Sequence, residues 1–210
     1  MKILIVAATR AELSGLISSF ALPEGNFITT PKFDLLFTGV GMTATAFALG
    51  QHLSPAYELV INLGIAGCYD RQKALGTVLN IITDEFAELG AEDREQFLTI
   101  DELGFGKSLY HASYNRNDTS ILNLPTVNGI TVNKVHGNKD SIAAIVQRLN
   151  PLTESMEGAA VFYACDQLHI PCIQIRSISN YVEERNRDNW QIGLAIKQLN
   201  KWAIEFLTND

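Results

Sequence analysis

Three side chains in this sequence have types and settings suited to acid–base and hydrogen-bonding chemistry. Asn180 ends the segment Arg176-Ser177-Ile178-Ser179-Asn180, which closes an apolar run that starts at Pro171. An amide placed where a buried strand opens offers a donor and an acceptor side by side; the same residue could also simply cap the strand or begin a turn. Glu12 follows the first apolar run in Ala8-Thr9-Arg10-Ala11-Glu12. At the start of a helix it is either a surface carboxylate favoured by the positive helix end or a base aimed into a cleft to take a proton from water. Glu157 stands among Met156, Gly158, Ala159, Ala160, Val161 and Phe162. Burying an unpaired carboxylate there costs several kcal/mol or forces its protonation. A pair of vicinal hydroxyls is a fitting partner, because one ionised carboxylate accepts from both. The other reading is a helix-start charge that reaches solvent. Taken together, the amide and the two carboxylates point to cleavage of a purine N-ribosyl bond.

The elements that must position these groups alternate in type. Residues 3–8 predict a buried strand and Ala11 to Phe20 an amphipathic helix. Phe33 to Thr38 predicts a strand, Met42 to Leu53 an alanine-rich helix, and Leu59 to Leu63 a strand ending in Gly64-Ile65-Ala66-Gly67. A strand over Thr77 to Ala87 is followed by polar excursions through 90–118, a strand over Ile130 to Val135 and a helix over Ser141 to Leu149. Glu157 to Leu168 predicts a helix, Pro171 to Ser179 the last strand, and Asn189 to Leu207 the closing helix. The expected fold class is α/β, a mixed, mostly parallel sheet flanked by helices in one domain over residues 1–210. Ligands gather at the carboxyl ends of such strands. Residues 8–12, 39–41, 64–67 and 176–180 all fall there.

Gly39-Val40-Gly41-Met42-Thr43-Ala44 mimics a dinucleotide fingerprint, which also needs an acidic residue about 20 positions on, at the end of the next strand. Glu58 lies at the beginning of that strand, so the mimic fails, and Gly41 is expected instead to bring backbone close to a ligand. The chain of 210 residues is 47% apolar and 19% charged, which argues against disorder. Its net charge of −7 provides no basic field for nucleic acid. Cys68, Cys165 and Cys172 show no paired spacing, which suits a reduced, cytoplasmic setting. The short apolar stretch from Ile3 to Ala8 lacks the length of a signal peptide, and no membrane association is expected. His52, His111, His136 and His169 have no metal-ligand spacing, so neither metal nor cofactor is expected.

These segments together resemble the nucleoside phosphorylase and nucleosidase superfamily, particularly its methylthioadenosine/S-adenosylhomocysteine nucleosidase branch. The resemblance rests on Ala8 to Glu12, Thr38-Gly39-Val40-Gly41, Asn62 to Gly67, Met156-Glu157-Gly158-Ala159-Ala160 and Arg176 to Asn180. The tail Ser179-Asn180-Tyr181-Val182-Glu183-Glu184-Arg185, followed by Trp190, is similar to the futalosine hydrolase branch. It implies a nucleoside phosphorylase-like fold, a small purine nucleoside as partner, and a homodimer or larger homo-oligomer. It further implies that Glu12 activates water, Glu157 holds the ribose hydroxyls, Met156 packs on the sugar, and Ala66 and Gly67 line the base pocket with backbone.

Asn180 departs from the pattern, because adenine-cleaving members have aspartate there. A carboxylate oxygen facing a 6-oxo group sets lone pair against lone pair. An amide donates to that oxygen and accepts from the protonated imidazole-side nitrogen. The expected leaving group is therefore hypoxanthine or guanine. Glu12 would repel phosphate, and no second arginine joins Arg10 to clamp it, so hydrolysis is expected over phosphorolysis. Adenine-specific nucleosidase, phosphorylase and non-catalytic nucleoside sensor stand as the alternatives. Arg185 and Arg187 are either solvated loop charges or partners for a carboxylate beyond the ribose.

Overall fold

The structure, a computed structural model, describes residues 2–114 and 123–209. In chain order, strands β1 to β11 are Ile3–Ala7, Phe27–Thr29, Phe33–Phe37, Leu59–Cys68, Val78–Phe86, Gly90–Asp93, Gln96–Thr99, Leu109–His111, Thr126–Thr131, Thr153–Ser155 and Cys172–Tyr181. Helices α1 to α5 are Ser14–Ser19, Met42–His52, Lys139–Leu149, Gly158–Leu168 and Ile192–Asn209. Three-residue 3-10 turns cover Ala11–Leu13 and Arg187–Asn189.

The centre of the sheet is the parallel set β3-β1-β4-β11. Its strands are buried and mostly apolar because both faces are covered. Alternate residues of β1 show this directly. Ile3, Ile5 and Ala7 pack with Leu199, Trp202 and Phe206 of α5. Leu4 and Val6 face the other layer, with Leu49 of α2 and Val161 and Phe162 of α4. Beyond β11 the sheet becomes mixed. β5 runs antiparallel to β11, β9 parallel to β5, and β10 parallel to β9. β10 then returns to pair antiparallel with the end of β4, Thr153 opposite Cys68 and Glu154 opposite Gly67. The ring β4-β11-β5-β9-β10 is thus closed, and the strand ends that carry the candidate residues surround its mouth. The α/β class and the helix-flanked mixed sheet are as expected.

Several boundaries differ from the sequence reading, each for a physical reason. The single helix expected over Ala11 to Phe20 is broken after Leu13. The Asn200 side chain of α5 takes the place of the backbone bond between Leu16 N–H and the Glu12 carbonyl. Its Oδ1 accepts from Leu16 N at 2.7 Å, and its Nδ2 donates to Glu12 O at 2.7 Å. A polar group inserted into the helical ladder interrupts it. β4 does not stop at Leu63 but runs to Cys68, because Gly64, Ile65 and Ala66 continue the pairing with Arg176, Ser177 and Ile178. The strand expected over Ile130 to Val135 ends at Thr131. The chain leaves the sheet there as Asn133 N–H bonds to Glu88 Oε2 and His136 N–H to Glu154 Oε1. The stretch 90–118, expected as a polar excursion, holds the β6–β7 hairpin and β8; residues 115–118 lie outside the described residues. Cys68, Cys165 and Cys172 are all free and buried. Among the described residues no helix is long and apolar enough to cross a membrane.

Gly158, the first residue of α4, shows how closely this helix meets the sheet. A Cβ there would lie 2.1 Å from Asp84 Oδ2 and 2.2 Å from Gln174 Oε1, both held in a buried network. Helix preference favours alanine by about 1 kcal/mol at an interior position, an upper bound for the first residue of a helix. Overpacking of a filled site costs about 1–3 kcal/mol, and the collision prevails because neither neighbour has space to retreat. Gly158→Ala should therefore lower the urea midpoint of unfolding despite adding a better helix former; a raised midpoint would show that the contact is loose.

Candidate active site

A cavity of about 330 Å³ opens at the mouth of the ring. Its wall includes Glu12, Ala66, Gly67, Met156, Glu157 and Asn180, six of the seven residues singled out from the sequence. The seventh, Gly41, is not part of the wall. It reaches the site only through its N–H, which donates to Glu157 Oε1 at 3.0 Å. Gly41 has a φ of +93°, a conformation that favours glycine.

Glu12 is buried, 8% exposed, in the 3-10 turn that follows β1. Its Oε2 accepts from Thr9 N at 2.9 Å and Thr9 Oγ1 at 3.0 Å, and its Oε1 accepts from Ile65 N at 3.2 Å. Burial pushes its pKa above the ordinary carboxylate value. The Arg176 guanidinium opposes that rise, and the negative charge of Glu157 adds to it. A carboxylate poised above its usual range is a better match for proton transfer near neutrality.

Beneath the cavity lies a cation that the sequence reading passed over. Arg176, in the middle of β11, is 1% exposed. Its Nε donates to Gln174 Oε1 at 2.9 Å, and its Nη1 lies 3.7 Å from Glu157 Oε2. Gln174 Nε2 in turn donates to Asp84 Oδ2 at 2.8 Å, and Thr131 Oγ1 donates to Asp84 Oδ1 at 2.8 Å. Burial pushes the Asp84 pKa up to about 6, against the two hydrogen bonds and Arg176. Gly64 makes room for this arrangement: a Cβ there would stand 2.0 Å from Arg176 Nη1 and 3.1 Å from Glu12 Oε1. The signal in the sequence was a charged residue at the centre of an apolar strand, where a charge is retained only with partners.

Asn180 reaches the cavity because β11 has an irregularity. Ile178 pairs with Ala66 and Asn180 with Gly67, leaving Ser179 as the extra residue. Such a bulge re-aims the side chains that follow it. Ile178 stays in the core with Cys68, Leu79 and Ile81, while Asn180 joins the cavity wall. The orientation of its amide is chemically determined. Nδ2 donates to the Tyr181 carbonyl at 3.0 Å, and a carbonyl can only accept. Oδ1 faces the Ser179 hydroxyl at 2.8 Å. One amide hydrogen and one lone pair are left over.

The wall also contains His136 and Glu154, neither of which the sequence reading singled out as a site residue. Glu154 Oε2 accepts from Tyr69 OH at 2.8 Å and makes a close contact with His136 Nδ1. Arg185 and Trp190 complete one side; the guanidinium groups of Arg185 and Arg187 sit 5.0 and 5.6 Å from the Trp190 ring centroid. Arg10 is turned away, onto Gly25 O at 2.7 Å, Pro23 O at 3.3 Å and Glu24 at 3.3 Å.

Comparison with known proteins gives the family. The family described as the Phosphorylase superfamily matches residues 2–208. The chain is 28% identical to the futalosine hydrolase of Streptomyces coelicolor, over 95% of this chain and 92% of that protein. It is 31% identical to the futalosine hydrolase of Acidothermus cellulolyticus, over 95% of this chain and 87% of that protein. The solved structure of Helicobacter pylori futalosine hydrolase superposes with a TM-score of 0.82 at 17% identity, covering 100% of this chain and 97% of that one. The 5′-methylthioadenosine/S-adenosylhomocysteine nucleosidase of the same organism gives 0.81 at 16% identity, covering 100% and 98%. At such identities the two structures speak to the fold alone.

The buried charges give a direct test. Arg176→Met removes the cation that faces Glu157 and offsets the rise at Glu12. Breaking a buried pair costs about 3–5 kcal/mol at neutral pH. With the cation gone, nothing opposes the burial of Glu12, whose protonation at lower pH removes the uncompensated charge, so the cost should shrink as pH falls. Urea unfolding of both proteins from neutral to acidic pH measures this; a pH-independent difference would show that the guanidinium acts by packing alone.

Proposed function

Since the chain belongs to the phosphorylase superfamily, we infer that it is an N-glycosyl hydrolase acting on a 6-oxopurine nucleoside. The substrate that fits best is futalosine, cleaved to hypoxanthine and dehypoxanthine futalosine in menaquinone biosynthesis. The names of the curated relatives support the substrate. The observation that carries the reading is the meeting of Glu12, Glu157 and the oriented Asn180 amide on one cavity wall.

Breaking the bond between the anomeric carbon and the base leaves positive charge on the ribosyl ring and negative charge on the base. Glu12, held by Thr9 and Ile65, takes a proton from the attacking water. Glu157 accepts from the ribose hydroxyls, and its charge offsets that of the ring as it develops. Its Oε1 is kept in place by Gly41 N–H. Met156 lies beside it and packs on the sugar, with Ala66 and Gly67 giving the base a flat backbone wall. The free hydrogen of Asn180 Nδ2 donates to the 6-oxo group, and the free lone pair of Oδ1 accepts from the protonated imidazole-side nitrogen. Aspartate at this position would face the Tyr181 carbonyl and the 6-oxo group with oxygen on both sides.

Water rather than phosphate is the nucleophile in this reading. Phosphate would need a cluster of cations, whereas Arg10 is committed to the Pro23–Gly25 turn and Arg176 lies sealed beneath Gly64.

Incubation with a panel of nucleosides and chromatography of the freed base tests the reading. Hypoxanthine should be released from futalosine without phosphate, and adenine should not be released from methylthioadenosine. Asn180→Asp should lower kcat/KM for futalosine by about 10- to 100-fold, the equivalent of one mispaired buried contact. Adenine release by the unaltered protein, or an unchanged base preference in Asn180→Asp, would overturn the specificity.

A further inference from the structure

The reading above leaves the departing base without a source for its proton. Glu12 gains a proton from water, Glu157 holds hydroxyls, and an amide is no acid at neutral pH. Yet the cavity wall contains a histidine whose ring is already held. His136 Nδ1 contacts Glu154 Oε2, the backbone N–H of His136 donates to Glu154 Oε1 at 2.9 Å, and Tyr69 OH donates to Oε2 at 2.8 Å. Glu154 is itself buried, 4% exposed, and sits directly opposite Gly67 in the sheet. A ring nitrogen bonded to a carboxylate carries the hydrogen, so the tautomer is defined by Glu154. Nε2 is then the nitrogen that has no hydrogen bond to protein among the described residues. The arrangement has the logic of a catalytic dyad, in which a buried carboxylate orients an imidazole and offsets its charge while the far nitrogen handles a proton.

We propose that His136, positioned by Glu154 and Tyr69, is the general acid that protonates the departing purine. This rests on the hydrolase reading and completes its proton balance. The bond from the anomeric carbon to the base breaks with both electrons passing to the base. His136 enters the step as the imidazolium, keeps its Nδ1–H on Glu154, gives its Nε2 proton to a base nitrogen and becomes neutral. Water oxygen bonds to the anomeric carbon and gives its proton to Glu12. Return of the Glu12 proton to solvent and uptake of one by His136 restore the starting state, so nucleoside and water become free sugar and protonated base. The charged and titratable groups around the ring are Glu154 and Tyr69 in contact, Glu183 and Arg185 on the loop packed against Gly137, and Glu12 and Glu157 across the cavity.

The test compares the unaltered protein with His136→Gln and Glu154→Gln on two substrates. One is futalosine, whose base needs the proton. The other is 4-nitrophenyl ribofuranoside, whose phenolate departs without one. A general acid typically contributes about 10²–10⁴-fold. Both variants should therefore lose about 100-fold or more in kcat on futalosine with KM little changed, and fall far less on the nitrophenyl riboside. The alkaline limb of the kcat profile on futalosine should also vanish from the residual activity of His136→Gln. Equal losses on both substrates, no loss on futalosine, or an alkaline limb that persists in His136→Gln would each overturn the proposal. Active variants beside an active parent remove this role alone, whereas a parent that releases no base from any purine nucleoside removes the hydrolase reading as well.

Discussion

A single guanidinium, sealed in the middle of β11, governs the charge balance of this site. Arg176 faces Glu157 directly, opposes the burial of Glu12 through space, and reaches Asp84 by way of Gln174. Burial pushes Glu12 and Asp84 both upward, the charge of Glu157 adds to the rise, and the one cation opposes it at each. Replacing the whole cluster by apolar side chains would cost little in folding terms, since desolvating ions consumes most of what their attraction returns. The cluster therefore makes sense as a chemical device. In the proposed reaction it would hold one carboxylate ready to accept a proton while another stays paired and available for hydroxyls.

Close packing follows from that requirement. Gly64 and Gly158 flank the network from the sheet and from α4, and at each a single added carbon would strike a polar atom of it. Two further devices link the cluster to the cavity. Asn200 reaches across from the closing helix into the ladder between Glu12 and Leu16, so the base-bearing turn is anchored from outside its own helix. The extra residue at Ser179 aims Asn180 into the opening while Ile178 stays in the core. In the proposed reaction the lower half of the site would set charge, and the upper half would read shape and hydrogen-bonding pattern.

Much of this was legible in the residues. The buried strands, the small-residue helix after Glu157 and the positions of Glu12 just after the first strand and Asn180 near the end of the last follow from period and composition, because a sheet covered on both faces leaves little choice. What was not legible depends on contacts between distant segments. Nothing local marks Asn200 as the residue that splits a helix nearly the whole chain away. Glu154, in a three-residue strand, gains its meaning only when the ring closes against Gly67 and the chain after Thr131 folds His136 over it. Arg176 could have been noticed, since a charge inside an unbroken apolar run needs partners; which partners they are depends on β4, β5 and α4 arriving together.

The claim on which the rest stands is that Glu12 holds its proton more tightly than an ordinary carboxylate because of burial and the nearby charge of Glu157. Carbon-13 NMR of side-chain-labelled glutamate, with the Glu12 signal assigned by its loss in Glu12→Gln, measures this directly in the unaltered protein and in Glu157→Gln. The account predicts a Glu12 titration above the usual carboxylate range that moves downward when Glu157 loses its charge. A Glu12 that titrates like an exposed glutamate, or that ignores the substitution at Glu157, would contradict it.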